Sequence, residues 1–233
     1  MARLRSGLLV GSVEKGVWNE LRASGGYITH AKPRMTDVID ADDAAWDPAQ
    51  VQFMRKAHFD FVLTDASSNA RPVLAIEVDG PSHEADHQKR RDNMKGEICR
   101  LANLPLWRFG QKQLPADLMA GWVRHVFDLW KADQAKFVHP PLWIPLEQVK
   151  NCLVRQQDKA LTLVVKEHAL LECPAGHTDG YGRVEVCIDG TTKEAKEMIS
   201  GIDLPVSGRM LVHLAIELAE YTALTEMGVW HAL

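Results

Sequence analysis

The sequence has few cysteines and no long apolar run, and each absence excludes a class of protein. The four cysteines (Cys99, Cys152, Cys173 and Cys187) form no CxxC pair, so they indicate reduced thiols rather than a disulfide framework or a zinc site. No apolar run approaches the roughly 20 residues that cross a bilayer. The apolar stretch at residues 8–10 is too short for a secretory signal. We therefore expect a cytoplasmic protein without membrane contact.

The chain also has no excess of positive charge. Its 233 residues include 27 Lys and Arg against 31 Asp and Glu, which gives a formal net charge of −4. Proteins that coat nucleic acid without specificity are usually basic. Any contact with DNA would therefore need a local basic patch. An acidic balance is compatible with a nuclease, because hard divalent metals are bound by carboxylates.

Turn-forming residues predict two domains. The segment 139–145 (HPPLWIP) is typical of a linker, so we place one domain at 1–138 and a smaller α+β domain at 139–233. Within the smaller domain we predict helices near 146–155, 193–199 and 208–225 and strands near 161–165, 168–173 and 183–188. This half indicates no function beyond a possible module for a protein partner. The spacing of His168, Cys173 and His177 matches no zinc pattern, so no zinc is expected.

The first half alternates between helix and strand patterns. Ser12 is a candidate N-cap for a helix over 13–23. The polar segment 36–55 is interpreted as an excursion outside the core. The other predicted elements are strands over 27–34, 58–64, 73–79 and 105–109, a helix over 86–103 with an inner stripe of Met94, Ile98 and Leu101, and a helix over 116–137. A strand, a helix and another strand in succession indicate a parallel crossover, so we expect an α/β fold with a mixed sheet.

Three acidic residues interrupt two of the predicted strands. Asp60 lies in FDFVL, and Glu77 and Asp79 lie in AIEVD, where alternation places both on one face. A carboxylate inside an apolar strand is costly unless it is paired or binds a metal. Each acid alone could equally cap a strand end or bind an arginine. The three together favour a site for a divalent cation that offsets their repulsion.

A basic row follows on the helix over 86–103. His87, Arg91 and Lys95 recur every four residues and therefore share one face. Basic groups beside an acidic cluster suit a phosphodiester, whose charge they stabilise during hydrolysis. A solvated helix face explains His87 and Arg91 equally well. Lys32 and Arg34 could contact phosphate from the first strand, but we favour surface solvation for both.

The ordered set of motifs resembles the Vsr-like branch of the PD-(D/E)XK, or restriction-endonuclease-like, superfamily. The resemblance covers roughly residues 7–112 and rests on HFDFVLTD, PVLAIEVDGPSH and RRDNMKGEICRLANLPLWRF. It implies an α-β-β-β-α-β core with a mixed central sheet. The matching positions are Glu14, Asp60-Phe61, 76–80 (IEVDG), His83, Asp92 with Lys95, and Arg108-Phe109.

By this resemblance, Asp60 and Glu77 would bind Mg²⁺, which Mn²⁺ can replace, with help from the backbone carbonyl of Val78. The superfamily usually has a lysine two residues after the second acid, and this chain has Asp79 there. The charge-stabilising role would then move to Lys95 on the helix.

The remaining matched residues receive secondary roles from the same resemblance. His83 is expected to shuttle a proton or contact DNA. Glu14 and Asp79 are further candidate metal ligands. His87, Arg91 and Arg108 are candidate contacts for nucleic acid.

Two functions from different classes follow from these expectations. The first is a Mg²⁺-dependent deoxyribonuclease that hydrolyses phosphodiester bonds with a metal-activated water. The second is an inactive protein of the same fold that binds DNA or a protein partner without cutting. Dependence of any cleavage on Mg²⁺ separates them.

Overall fold

The apolar run at 73–78 forms the centre of a four-stranded sheet. In the computed structural model of the chain, β3 (Pro72–Asp79) lies between β2 (Phe61–Asp65), which is antiparallel to it, and β4 (Leu106–Gly110), which is parallel. β1 (Tyr27–Ala31) pairs with β2 in antiparallel fashion and completes the order β1-β2-β3-β4. Residues 74–77 of β3 are buried in succession, so both faces of the strand are covered, which explains its lack of alternation. The predicted α/β class with a mixed sheet is confirmed.

The structure describes residues 11–23, 25–42, 46–67, 70–79, 86–110, 114–134 and 161–229, and for 86–87, 116–117 and 134 it describes the backbone alone. The chain forms two compact units, Met1–Arg124 and His125–Leu233, which divide within the helix α4 (Ala116–Gln134). The predicted linker at 139–145 and the predicted helix near 146–155 lie outside the described residues. The predicted boundary between 138 and 139 therefore stays a prediction.

The helix α1 (Ser12–Arg22) covers one face of the first sheet. Val17 and Leu21 are buried, and the ring of Trp18 stacks on Phe61 of β2 with centroids 6.4 Å apart. The N-cap is Gly11, so the predicted cap at Ser12 is wrong by one residue. Because glycine has no side chain to accept a hydrogen bond, the helix start depends on packing rather than on capping.

The segment 36–55 belongs to the core, contrary to the prediction. It contains a 3-10 turn (Met35–Asp37) and the helix α2 (Pro48–Met54), and Ile39 and Met54 are buried in one cluster with Ile98. The Asp47 carboxylate accepts hydrogen bonds from the backbone N–H groups of Ala49 and Gln50. Asp-Pro-Ala-Gln is a capping box with proline at the first helical position, and this signal predicts the helix.

The helix α3 (Asp86–Leu101) connects β3 to β4 and turns an unexpected side chain inward. Ile98 is buried as predicted, but Leu101 is half exposed. The buried positions are Lys95, Ile98 and Cys99, which lie three and four residues apart on one face. A lysine at such a position requires a buried partner, which the site described below provides.

The second unit is an antiparallel sheet covered by one long helix. Its strands β5 (Leu161–Glu172), β6 (Thr178–Ile188) and β7 (Thr191–Ser200) follow in order, and α5 (Gly208–Glu226) packs on β6. A Cβ atom at Gly182 would lie 2.6 Å from the Ile216 backbone nitrogen, so this close approach requires glycine. The unit is therefore α+β, as predicted.

The predictions for three elements of this unit are wrong. The strands near 161–165 and 168–173 are one strand with a register shift between Val165 and Glu167, and the predicted helix near 193–199 is β7. Ala195 and Ile199 are the buried positions of β7, and a spacing of four fits both a helix and a strand. Asp189 and Gly190, with φ of 51° and 79°, form the two-residue turn that marks a hairpin before β7.

The longest described helices, α4 and α5, each have 19 residues. Neither these nor the shorter helices among the described residues combine enough length with enough apolar character to cross a membrane.

A buried histidine–glutamate pair joins α4 to α5 within the second unit. His125 Nε2 lies 2.6 Å from Glu217 Oε2, and the side chains are 4% and 3% exposed. His213 Nε2 lies 3.3 Å from the other Glu217 oxygen. Burial raises the pKa of Glu217, but the hydrogen bond with His125 and the nearby imidazole of His213 outweigh it and leave that pKa below its ordinary value. The two imidazoles therefore stabilise the charged carboxylate.

Replacement of His125 by Ala should lower the free energy of unfolding by about 3 kcal/mol, because it leaves a buried carboxylate with one partner fewer. Urea denaturation measures this loss. His168→Ala, at an exposed position of β5, is the matched control and should change stability by less than about 0.5 kcal/mol. The folded pKa of Glu217 is lowered, so its contribution is present above about pH 4.3 and disappears as the pH falls through the folded value. Equal losses in both variants would contradict this role.

Candidate functional site

Asp60 and Glu77 meet where β2 and β3 run side by side. The register pairs Phe61 with Ile76, which places Asp60 opposite Glu77. The Asp60 N–H donates to Glu77 Oε1 at 3.3 Å, and the Val78 N–H donates to Asp60 Oδ2 at 2.8 Å. Asp60 directly precedes β2 instead of lying within a strand as predicted. The structure nevertheless brings the two acids together.

Lys32 joins this pair to the first helix. Its Nζ lies 2.5 Å from Asp60 Oδ1 and 2.7 Å from Glu14 Oε1, in the first turn of α1. Burial lowers the pKa of Lys32, but the hydrogen bonds and charges of Asp60 and Glu14 raise it further, so the net shift is upward and the ammonium stays charged.

Sequence reasoning favoured surface solvation for Lys32, and that interpretation is wrong. Lys32 follows β1, its N–H donates to the Asp60 carbonyl at 2.9 Å, and its φ is 53°. The pairing of Ala31 with Phe61 places Lys32 beside Asp60. An antiparallel pairing of β1 with β2 in this register would have predicted the contact. The register of that pairing was not predicted from the sequence.

Lys95 reaches the acids from α3. Its Nζ lies 2.7 Å from Glu77 Oε2, donates to the His58 carbonyl at 2.8 Å and stands 5.6 Å from the centroid of the Phe59 ring. The side chain is 11% exposed. A surface ion pair with little energetic effect does not describe this contact, because both partners are largely removed from water.

Among the described residues, the ion pairs at this site include more carboxylates than ammonium groups. Three carboxylates (Glu14, Asp60 and Glu77) are paired with two ammonium groups (Lys32 and Lys95), an excess of one carboxylate. Burial raises the pKa of Glu77 to about 7, with a further upward contribution from Asp60 and an opposing one from Lys95. The excess charge is thus relieved either by a proton on Glu77 or by an added cation.

The donor set of this site fits a hard divalent cation. The side-chain ligands on offer are carboxylate oxygens, which Mg²⁺ and Mn²⁺ prefer. The Lys32 ammonium lies between Glu14 and Asp60, so a positive charge is already stabilised at this position. A bound metal would replace the ammonium groups at one or more of these oxygens.

Val78 and Asp79 continue β3 beyond Glu77. The Val78 N–H contacts Asp60, and its carbonyl belongs to the same edge of the strand, because the N–H and C=O of one strand residue point to the same side. Asp79 pairs with Gly110 of β4 and shares the face of Glu77. Their roles as metal ligands stay predictions.

The structure describes the side chains of two of the predicted contacts for nucleic acid, Arg91 and Arg108. Arg108 Nη2 donates to the Asp92 carbonyl at 2.5 Å, and Nη1 lies 3.8 Å from Asp92 Oδ1, so this guanidinium connects β4 to α3. Arg91 is exposed on α3. His83 lies outside the described residues, and for His87 only the backbone is described. Binding of nucleic acid by these four residues stays a prediction.

Residues 9–118 match a family model described as "Protein of unknown function (DUF2726)". The matched range includes Glu14, Lys32, Asp60, Glu77 and Lys95, so the whole site lies within it. No curated protein and no solved structure shows significant similarity to the chain.

Proposed function

We propose that the first unit is a divalent-metal-dependent nuclease of the restriction-endonuclease-like kind, which hydrolyses phosphodiester bonds of DNA. The observation that carries this proposal is the convergence of Asp60 and Glu77 with Lys95 beside them. Acids from two neighbouring strands and a lysine from the following helix supply the charges that phosphodiester hydrolysis requires.

The order of elements supports the same proposal. α1, β1, β2, β3, α3 and β4 follow in the α-β-β-β-α-β order of the PD-(D/E)XK core, with α2 inserted before β2. The resemblance in sequence and the order of the elements are separate arguments, because the first rests on motifs and the second on topology. A likeness of fold alone would not establish an activity.

In this proposal Asp60, Glu77 and the Val78 carbonyl hold Mg²⁺, with Glu14 and Asp79 as further candidate ligands. When bound, the metal would activate a water molecule and polarise a phosphoryl oxygen. Lys95 supplies positive charge to the non-bridging oxygens, where charge develops during hydrolysis. Its contacts with the His58 carbonyl and the Phe59 ring hold the ammonium in place before the substrate arrives.

Exposed basic residues on α3 support DNA as the substrate. Lys89, Arg90 and Arg91 are consecutive and exposed on the helix that carries Lys95, where they point in different directions around its axis. In a chain with a net charge of −4, local basic residues of this kind would be needed to hold a polyanion near the acids.

A specific observation favours the second function, that of a nuclease-fold protein that binds DNA or a protein partner without cutting. Both oxygens of Asp60 and both oxygens of Glu77 contact a protein donor or ammonium group. The two acids and their partners could therefore form a buried ion-pair cluster with a structural role and no catalytic one. The excess of one carboxylate among the described residues supports the first function, because a divalent cation would offset its charge.

A substrate panel separates the two functions. The purified full chain is incubated with nicked, mismatched, branched and single-stranded DNA, with and without Mg²⁺ or Mn²⁺. The proposal predicts cleavage of at least one substrate that requires the metal. Retention of DNA without cleavage under all metal conditions would favour the non-cutting function.

Metal binding should depend on pH through Glu77. Its pKa of about 7 means that a proton competes with the metal below that pH. Mn²⁺ affinity, measured by electron paramagnetic resonance, should rise about tenfold per pH unit up to about pH 7 and then level off, because one proton is displaced. Glu77→Gln has no carboxyl to titrate at this position and should bind Mn²⁺ weakly at every pH, without this rise. A flat profile in the wild type would contradict the assignment of this proton.

A further inference from the structure

A turn in the second unit brings a thiol, an imidazole and a carboxylate together. Cys173 follows β5, His177 precedes β6 and Asp179 lies in β6, and one ligand atom from each lies within 4.8 Å of the others. The Cys173 thiol donates to Asp179 Oδ2 at 3.2 Å, and His177 Nε2 lies 3.4 Å from Asp179 Oδ1. These three groups are the donor types that zinc takes in proteins.

The backbone arranges the three side chains before any ligand binds. The Cys173 N–H donates to the His177 carbonyl at 2.8 Å, and the Gly176 N–H donates to the Cys173 carbonyl at 2.9 Å. Gly176 has a φ of +83°, which glycine adopts without strain. His177 and Asp179 are two residues apart in an extended stretch and so share a face. Binding of a metal would therefore cost little further conformational entropy in the turn.

Hydrogen bonding within the turn leaves one polar atom unexplained. His177 Nε2 faces Asp179, but Nδ1 is buried and has no hydrogen-bond partner in the part of the chain that the structure describes. Asp179 is 6% exposed, and its Oδ1 also accepts from the Gly201 N–H at 3.1 Å. The imidazole nitrogen that faces the buried carboxylate, Nε2, is thereby placed to share a metal ion with Asp179.

We propose that Cys173, His177 and Asp179 bind a zinc ion with three protein ligands and a fourth position open to water or an external ligand. A thiolate and an imidazole select zinc over Mg²⁺, whereas the site of the first unit offers carboxylates. The Gly201 N–H orients the carboxylate from outside the ligand set. The metal thereby joins the β5–β6 turn to the end of β7.

The expectation of no zinc considered a different third residue. It combined Cys173 and His177 with His168, which is exposed on β5 and pairs with Gly182. Asp179 takes that place in the structure because it lies diagonally across the hairpin from Cys173. The spacing of cysteines and histidines alone gives no indication of a carboxylate ligand.

Metal titration of the full chain tests this proposal. The protein is stripped with a chelator and titrated with zinc chloride, and separately with cobalt chloride. We expect an equivalent of zinc whose binding depends on Cys173, and we expect cobalt to give a near-ultraviolet thiolate charge-transfer band. Cys173→Ser keeps the shape and a hydrogen-bond donor but should remove the band. It should also lower zinc affinity by more than about tenfold, since even loss of an outer-shell partner costs about 10- to 100-fold.

Matched variants keep the outcome clear. Cys187→Ser and His168→Ala, at a second cysteine and a second histidine of the same sheet, should retain both zinc and the cobalt band. His177→Ala and Asp179→Asn should lower zinc affinity by more than about tenfold, as Cys173→Ser does. Absence of zinc uptake by the wild type would overturn the proposal, and so would a cobalt band that persists in a folded Cys173→Ser protein.

Discussion

Replacement of Glu77 by Gln is expected to abolish metal-dependent cleavage and to leave the fold intact. Gln keeps the side-chain shape and can still accept a hydrogen bond from the Asp60 N–H, but it removes one of the two principal ligand charges. We expect the initial rate to fall to background, a loss of at least about 100-fold. Cleavage of the best substrate of the panel measures the rate, and circular dichroism checks the fold.

For the same variant without metal, the direction of the change in stability should depend on pH. The folded pKa of Glu77, about 7, is above its unfolded value of about 4.3, so ionisation of Glu77 destabilises the fold increasingly between these two pH values. Gln avoids this cost but loses the ion pair with Lys95. The melting temperature of Glu77→Gln relative to wild type should therefore be higher at pH 8 than at pH 5. Retained cleavage by this variant would remove Glu77 from the mechanism.

Replacement of Lys95 by Ala should slow cleavage by on the order of 100-fold or more, with a much smaller change in DNA binding. The lost ammonium is a positioned donor for the charge that gathers on the phosphoryl oxygens. Asp79, at the position of the superfamily's usual lysine, cannot supply that charge. Single-turnover cleavage measures the chemical step, and a binding titration with the same DNA in Ca²⁺ measures affinity.

Lys32 provides the matched control for Lys95. Both are lysines paired with a site carboxylate, but Lys32 contacts Asp60 and Glu14, whereas Lys95 contacts Glu77. We expect Lys32→Ala to affect metal affinity more than the single-turnover rate at saturating metal. If Lys95→Ala cuts at nearly the wild-type rate while Lys32→Ala, Arg91→Ala or His83→Ala does not, the role belongs to that other residue.

Local patterns predicted the first sheet because its central strand is a continuous apolar run. The run at 73–78 and the helix that follows it indicated a parallel crossover, which the pairing of β3 with β4 shows. The prediction for segment 36–55 was wrong because the segment is mostly polar. Its apolar residues Ile39 and Met54 nevertheless pack in one cluster with Ile98, which is distant in sequence. Burial of isolated apolar residues depends on tertiary contacts that composition does not contain.

The contact between acids on adjacent strands was predictable from the sequence. The contact that depends on the residue-by-residue register of the strands was not. Glu77 and Asp60 were expected to meet because a hairpin of their strands brings them together, and they do. Lys32 was missed because its place beside Asp60 follows from the pairing of Ala31 with Phe61. Lys95 was expected from the family resemblance, and its contact with Glu77 depends on how α3 packs on the sheet.

Anomalous diffraction from crystals soaked in Mn²⁺ tests the central claim most directly, because it locates the metal without requiring the correct substrate. The account predicts a manganese peak with oxygens of Asp60 and Glu77 at about 2 Å. Lys32 or Lys95 should be displaced from at least one of these carboxylates. The same crystals of Glu77→Gln should show no peak. Wild-type crystals in saturating Mn²⁺ that retain both lysine–carboxylate pairs and show no peak at this site would contradict the account.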